Sequence, residues 1–347
     1  MREVRPPSFA GRIGVARSDI TPPAGIYARN WGAATHEAAE GIHRPLTATV
    51  ITFQHLEGDP PLALAALDLG WWRTPEDERA LRGGVLEALS LDPARVMINF
   101  AHTHAGPSTC REDADKPGGE HIPAYLDRLR EALVSAARRA LRTAADAVLS
   151  WRTGRCGLAA ERDLPDPGDA NRYLCGFHPE GEADDTLLVG RVTDGGGRTA
   201  ATIVNYACHP TSLGWGNRLI SPDYVGAMRE TVEARTGGAP CLFLQGNSGD
   251  LGPRRQYRAE TEAADANGRE LGYAALAALE GIGPPGRGLS YTGAVESGAP
   301  LARGEDASFG APRPHSIECP RCCAGSIATS CPRSSVRSDS ACSSTPS

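Results

Sequence analysis

The chain has 347 residues, with 36 Lys and Arg against 42 Asp and Glu and a formal net charge of -6. Acids and bases are mixed along its length, so no nucleic-acid patch and no basic membrane-surface helix is indicated. The N-terminus lacks an apolar signal core and no apolar run is long enough to span a bilayer, which points to a cytoplasmic protein without a transmembrane segment.

From about residue 10 to 300 the chain alternates apolar runs with helical patterns. Strands are predicted over 14–19, 46–53, 61–69, 96–102, 147–153, 187–192, 200–206 and 240–245. Helices are predicted over 75–90, 123–143, 224–236 and 260–280. In the second of these Leu126, Leu129, Leu133, Ala137 and Leu141 share one face, as a helix covering a sheet requires. The alternation implies an α/β fold, a mixed sheet with covering helices. Pro and Gly clusters at 155–185 mark a long irregular connection, which in a compact domain is more often functional than idle.

Three apolar strands run into polar turns. The first, Arg95-Val-Met-Ile-Asn-Phe, ends in Ala-His102-Thr-His104-Ala-Gly-Pro107. A strand has a side-chain period of two, so His102 and His104 are expected on one face at its end, able to share a metal ion or a substrate. The second, Ile203-Val-Asn-Tyr-Ala-Cys, ends in His209-Pro-Thr-Ser. The third, Cys241-Leu-Phe-Leu-Gln, enters the turn Gly246-Asn247-Ser248-Gly249-Asp250. Between the last two, Ser221 and Asp223 read as the capping start of a helix. Sites in sheet-based α/β folds assemble at strand ends, so the recurrence argues for a site more strongly than any one histidine does.

The character changes near residue 303. Residues 303–347 are rich in Ser, Pro, Arg and Cys and show no periodicity, so the segment reads as disordered or aberrant, consistent with translation in a shifted frame. Five of the ten cysteines crowd there, and Cys319-Pro-Arg-Cys322 has half the spacing of a zinc knuckle without a convincing second pair. Cys208 and Cys241 sit in apolar runs and read as small buried residues.

The ordered set Asp19-Ile-Thr-Pro-Pro23, Gly41-Ile-His-Arg-Pro-Leu46, His102-Thr-His-Ala-Gly-Pro107, Asn205-Tyr-Ala-Cys-His209-Pro-Thr-Ser, Ser221-Pro-Asp223 and Gln245-Gly-Asn-Ser-Gly-Asp250 resembles the neutral/alkaline non-lysosomal ceramidases. More closely, it resembles a bacterial group carrying their N-terminal catalytic domain, over roughly residues 10–300. The resemblance implies a zinc-dependent hydrolase of an amide (N-acyl) bond, acting on a small-molecule or lipid amide such as a ceramide; relatives of this kind are often secreted. It assigns Zn2+ to His102 and His209 and puts His104 on the substrate or proton-transfer side. The chemistry agrees, since neutral imidazoles on rigid strand ends suit zinc, which polarises a carbonyl and acidifies bound water. Asp68 is a candidate carboxylate behind the ligands, with a turn aspartate as the alternative.

Two departures stand out. The family's serine nucleophile lies two residues after the Gly-Asp of the last motif, where this chain has Gly252. Its downstream Glu and Tyr zinc ligands have no counterpart before the odd C-terminal segment, so the catalytic domain reads as C-terminally incomplete. With no serine, a metal-activated water is the natural attacking group, and Ser248 reads as a turn former. Asn247 and Asp250, with the backbone N–H groups of 246–250, are catalytic candidates for stabilising an oxyanion. Arg254 and Arg255 are candidates to face an anionic substrate group. Two other readings stay open: a truncated, non-catalytic or ligand-binding member, and a two-metal hydrolase in which His104 also ligates.

Overall fold

The computed structural model describes residues 3–55 and 58–308. Eight strands form one mixed sheet: β1 (Ser8–Asp19), β2 (Thr47–Gln54), β3 (Leu62–Leu67), β4 (Val96–Phe100), β5 (Ala145–Arg155), β6 (Thr186–Asp194), β7 (Thr199–Tyr206) and β8 (Cys241–Gln245). Their order is β8-β7-β6-β5-β1-β2-β3-β4, with the central pairs antiparallel and the end pairs β3/β4 and β7/β8 parallel. Four helices cover it: α1 (Pro75–Leu89), α2 (Ile122–Arg142), α3 (Tyr224–Arg235) and α4 (Thr261–Glu280).

The main elements match the expected ones, with β1 the largest departure: it begins at Ser8, not near residue 14. Its first half, Ser8–Ile13, pairs with β5, and that pairing overrides the weak strand propensity of Phe-Ala-Gly-Arg. The connection at 155–185 is also less irregular than expected. Ala159–Glu161 pairs with Leu251–Pro253, and Asp163–Pro165 pairs with Tyr173–Cys175.

The sheet is buried on both faces, which explains why its strands read as near-continuous apolar runs. Ile13, Ile51, Ala66, Val192, Ala201 and Leu242 pack together on the inner face. On the outer face α1 and α2 close over one half, the expected stripe of α2 placing Leu126, Leu129 and Leu133 in the core. In the other half Tyr224, Met228 and Val232 of α3 and Leu271 and Ala275 of α4 pack on Val189, Val204 and Phe243. Helix α2 comes so near β1 at Gly14 that a Cβ there would meet the Ala140 carbonyl oxygen at 1.8 Å. Only glycine fits.

One residue joins the two ends of the strand order. Asn99 Oδ1 accepts from the Gln245 N–H at 2.9 Å, and its Nδ2 donates to the Gln245 carbonyl at 3.3 Å. A side-chain amide thus stands in for a strand neighbour and draws β4 and β8 together, which also draws together the turns that follow them. Asn99→Ala leaves both Gln245 backbone groups without that partner. It is expected to destabilise the fold by about 1–3 kcal/mol, read as a lowered denaturation midpoint, whereas an unchanged midpoint would remove the clasp.

Strands Arg287–Glu296 and Pro300–Ser308 form a hairpin with Glu3–Val4 along one side. The boundary expected near residue 303 therefore falls inside a strand, and residues 309–347, including Cys319, Cys322, Cys323, Cys331 and Cys342, lie outside the described residues. No described helix is long and apolar enough to cross a membrane.

Candidate functional site

Strand β4 stops at Phe100, before the two histidines. The Ala101 and His102 N–H groups still donate to the Leu67 and Leu69 carbonyls, but His102 then takes a φ of 69°, in the left-handed region. The pair is therefore not aligned by the pleat of a strand, as the spacing suggested. A kink turns the backbone between them. A non-glycine residue there is strained, and such strain persists only where neighbours over-determine it. Those neighbours are visible. Thr103, fully buried, donates from Oγ1 to the Ser221 carbonyl at 2.8 Å, and the Ser221 N–H donates to the Ala105 carbonyl at 2.8 Å. The Ser221 hydroxyl is in turn held by His43 Nδ1 at 2.9 Å and accepts from the Asp223 N–H. Asp223 is the N-cap of α3, as expected.

His209 follows β7. Its N–H donates to the Leu251 carbonyl at 3.0 Å, and its Nδ1 lies 3.1 Å from the Ser248 carbonyl. A carbonyl can only accept, so Nδ1 carries the proton and Nε2 keeps its lone pair. That Nε2 lies 3.0 Å from Nε2 of His104. The ring centre of His209 is 4.5 Å from that of His102 and 5.1 Å from that of His104. One nitrogen from each of His102, His104 and His209 falls within a set no more than 4.8 Å across. Residues about a hundred positions apart do converge.

All three imidazoles are neutral at ordinary pH. Burial pushes His104 down to about 3, with the other two imidazoles and Arg162 adding to the shift and the Asn30 carbonyl opposing it. Burial and then Arg162 push His209 to about 4, against the Ser248 carbonyl. Burial also lowers His102, opposed by the Gly70 carbonyl. Neutral nitrogens that resist protonation and crowd one point are what a small divalent cation requires. His104 Nδ1, buried without a well-aligned hydrogen bond, is consistent with a ring placed for the cluster and not for its own neighbours.

The cluster forms part of the wall of an open cavity of about 420 Å3. Trp31 and Trp71 lie tilted against His104, at 4.6 and 4.8 Å between ring centres. Arg162, Cys175 and Tyr257 line the remainder with Thr211. Arg162 is anchored by the Gly249 carbonyl, at 3.0 Å from Nε and 2.7 Å from Nη2. Burial lifts the Tyr257 hydroxyl to about 12, with the Cys175 thiol adding to the shift and Arg162 opposing it, so it remains a proton donor. Sequence reasoning missed Arg162, Tyr257 and the two tryptophans. Its one usable signal was the connection at 155–185, which supplies Arg162 and Cys175.

The other candidates lie elsewhere. Asn247 and Asp250 are exposed on the turn after β8 and do not line this cavity. The Gly246 N–H donates to the Tyr206 carbonyl. Arg254 and Arg255 are exposed and also outside the wall; the guanidinium of the site is that of Arg162. Ser248 is buried, its hydroxyl accepting from Gln245 Nε2 at 2.7 Å. Gly252 is buried beside Gln256 and Arg162, and a Cβ there would lie 2.7 Å from Gln256 Oε1. Asp68 is neither a surface aspartate nor a partner of the histidines: it is buried, with Oδ1 accepting from Arg229 Nη2 at 2.6 Å and Oδ2 from the Thr47 N–H and hydroxyl.

No protein-family model matches the sequence. The chain is 27% identical over 319 residues to a neutral ceramidase of Mycobacterium tuberculosis, the match covering 84% of this chain and 50% of that protein. Its fold matches a ceramidase complexed with C2 at a TM-score of 0.62 and 21% identity, over 80% of this chain and 45% of the other. It also matches the neutral ceramidase of Pseudomonas aeruginosa at a TM-score of 0.60 and 20% identity, over 84% and 48% respectively. The chain spans about half the length of the relatives it matches.

Proposed function

We propose that this chain, which belongs to the neutral ceramidase family, is a zinc-dependent hydrolase that cleaves an amide (N-acyl) bond of a small-molecule or lipid substrate. The observation that carries the reading is the convergence of three neutral imidazoles on one point in an open cavity. His102 and His209 are the ligands that the resemblance assigned. His104 offers a third nitrogen at the same place, giving the three protein donors usual for a catalytic zinc with one position open. When bound, zinc would polarise the amide carbonyl and acidify a water.

The residues of the chain have separate tasks. The Ser248 and Gly70 carbonyls orient His209 and His102 and keep their lone pairs turned to the site. Trp31 and Trp71 cover the His104 ring from the cavity side, taking part of its surface away from solvent. Arg162, fixed by the Gly249 carbonyl, is the cation available to an oxyanion developing on the substrate. Tyr257 keeps its proton and can donate it in a hydrogen bond to the carbonyl or leaving nitrogen. Hydrolysis places the water oxygen on the acyl carbon, breaks the C–N bond and leaves the amine protonated.

The test is metal analysis joined to product release. The purified protein is expected to hold about one zinc per chain and to release a fatty acid from an N-acyl substrate. Activity should disappear on chelation and return on zinc addition. A protein that takes up no zinc would favour a non-catalytic role, and two ions per chain would favour the two-metal reading.

A further inference from the structure

The histidine cavity has a neighbour. A second cavity of about 390 Å3 shares Trp31 and Trp71 with it and is otherwise lined by Tyr27, Arg29, Asn30, Gly32 and Arg73. Its charged groups are both guanidinium. The first cavity adds a third, that of Arg162, and among the described residues no carboxylate lines either one. This is notable in a chain with six more acids than bases. The carboxylates stand behind the arginines. Arg73 Nη1 donates to the buried Asp113, which also accepts from the Ser108 hydroxyl at 2.6 Å, and Arg29 Nη1 donates to Glu37. Each guanidinium is thus anchored from one side, while both side chains remain partly exposed, at 49% for Arg73 and 37% for Arg29.

We propose that the second cavity binds the anionic end of the substrate, a carboxylate on the amine side of the scissile amide, as in an N-acyl amino acid. The proposal takes the amide from the hydrolase reading, but the binding site itself requires only the carboxylate. A planar guanidinium fork matches a carboxylate in two parallel hydrogen bonds, and anchored arginines offer that geometry with little ordering cost. The indoles lower the local dielectric. Although Glu37 and Asp113 offset the charge of Arg29 and Arg73, the guanidinium groups, not the carboxylates, line the cavity and present their donors to it. The acyl chain would then lie on the other side of Trp31 and Trp71, along the aromatic wall that ends at Tyr257.

The test is a titration of the intrinsic tryptophan fluorescence of the full-length protein, to which Trp31 and Trp71 contribute among five tryptophans, with N-lauroylglycine and N-lauroylglycinamide below their micelle concentrations. The carboxylate is expected to bind about tenfold or more tightly than the neutral amide, the scale of a charge-assisted pair. The preference should shrink in Arg29→Gln and in Arg73→Gln. If Arg73→Gln fails to fold because Asp113 loses its partner, Arg29→Gln and the two-ligand comparison still decide. Equal affinities in the unmodified protein would overturn the proposal, as would tighter binding of N-lauroylphosphoethanolamine, which would reassign the cavity to phosphate. Lauric acid release, followed in parallel, separates the two readings. Preferential binding without release sinks the hydrolase and keeps the carboxylate site, whereas release from both ligands with equal affinity does the reverse.

Discussion

His209→Ala is expected to lose bound zinc and to reduce amide hydrolysis by about a thousandfold or more, because a Lewis acid contributes several kcal/mol and each 1.36 kcal/mol is a factor of ten. His209 is fixed by the fold at both its backbone and its ring. Its backbone is tied to Leu251 and its Nδ1 to the Ser248 carbonyl, which keep its Nε2 turned to the cluster. His102→Ala should behave alike in zinc and activity but keeps the strained φ, because alanine also carries a Cβ. His102→Gly removes that Cβ and should lose zinc equally while its folding stability falls little or rises. His104→Ala is the informative member. Loss of zinc there supports three imidazole ligands. Full zinc occupancy with lost activity would return His104 to the substrate side, as the family resemblance implies. Metal content and turnover measured on the same preparations give both answers, and stoichiometric zinc in His209→Ala would overturn the assignment.

Asp68→Ala is expected to cost about 3–5 kcal/mol of folding stability, the scale for stranding one partner of a buried ion pair. The side chains of Asp68 and Arg229 are only 3% and 9% exposed, and Arg229 Nε has no hydrogen-bond partner. Without Asp68 the guanidinium stays buried and uncompensated, and the Thr47 N–H and hydroxyl lose their acceptor. The double replacement Asp68→Leu with Arg229→Met should recover much of the loss, since well-packed apolar residues often replace a buried pair without penalty. Chemical denaturation measures both. Zinc content of the folded fraction should not change in either variant; a fall in zinc affinity at unchanged stability would restore Asp68 to a role behind the ligands.

The chain order of strands and helices was legible because each buried strand is an apolar run and each covering helix carries a stripe. His102 and His209 stood out because they end such runs. Arg162 and Tyr257 did not, because each belongs to an irregular segment whose position depends on distant partners. Arg162 is placed by Gly249, and the segment holding Tyr257 is hydrogen-bonded to Thr211 and Ser212. Asp68 was misjudged for the same reason. A strand-end aspartate gives no sign of an arginine 161 residues away.

Composition, periodicity and ordered motifs determined by themselves the α/β class, the elements and the histidines that could bind a metal, since all of these are local properties of the chain. Only the tertiary structure decided that the histidines meet. Asn99 bonds to Gln245 and draws the two outermost strands together, and the contacts of Thr103 and Ser221 hold His102 in a conformation that it would not adopt alone. Local preference can name a ligand, but convergence needs long-range hydrogen bonds and packing that fix the backbone against its own inclination.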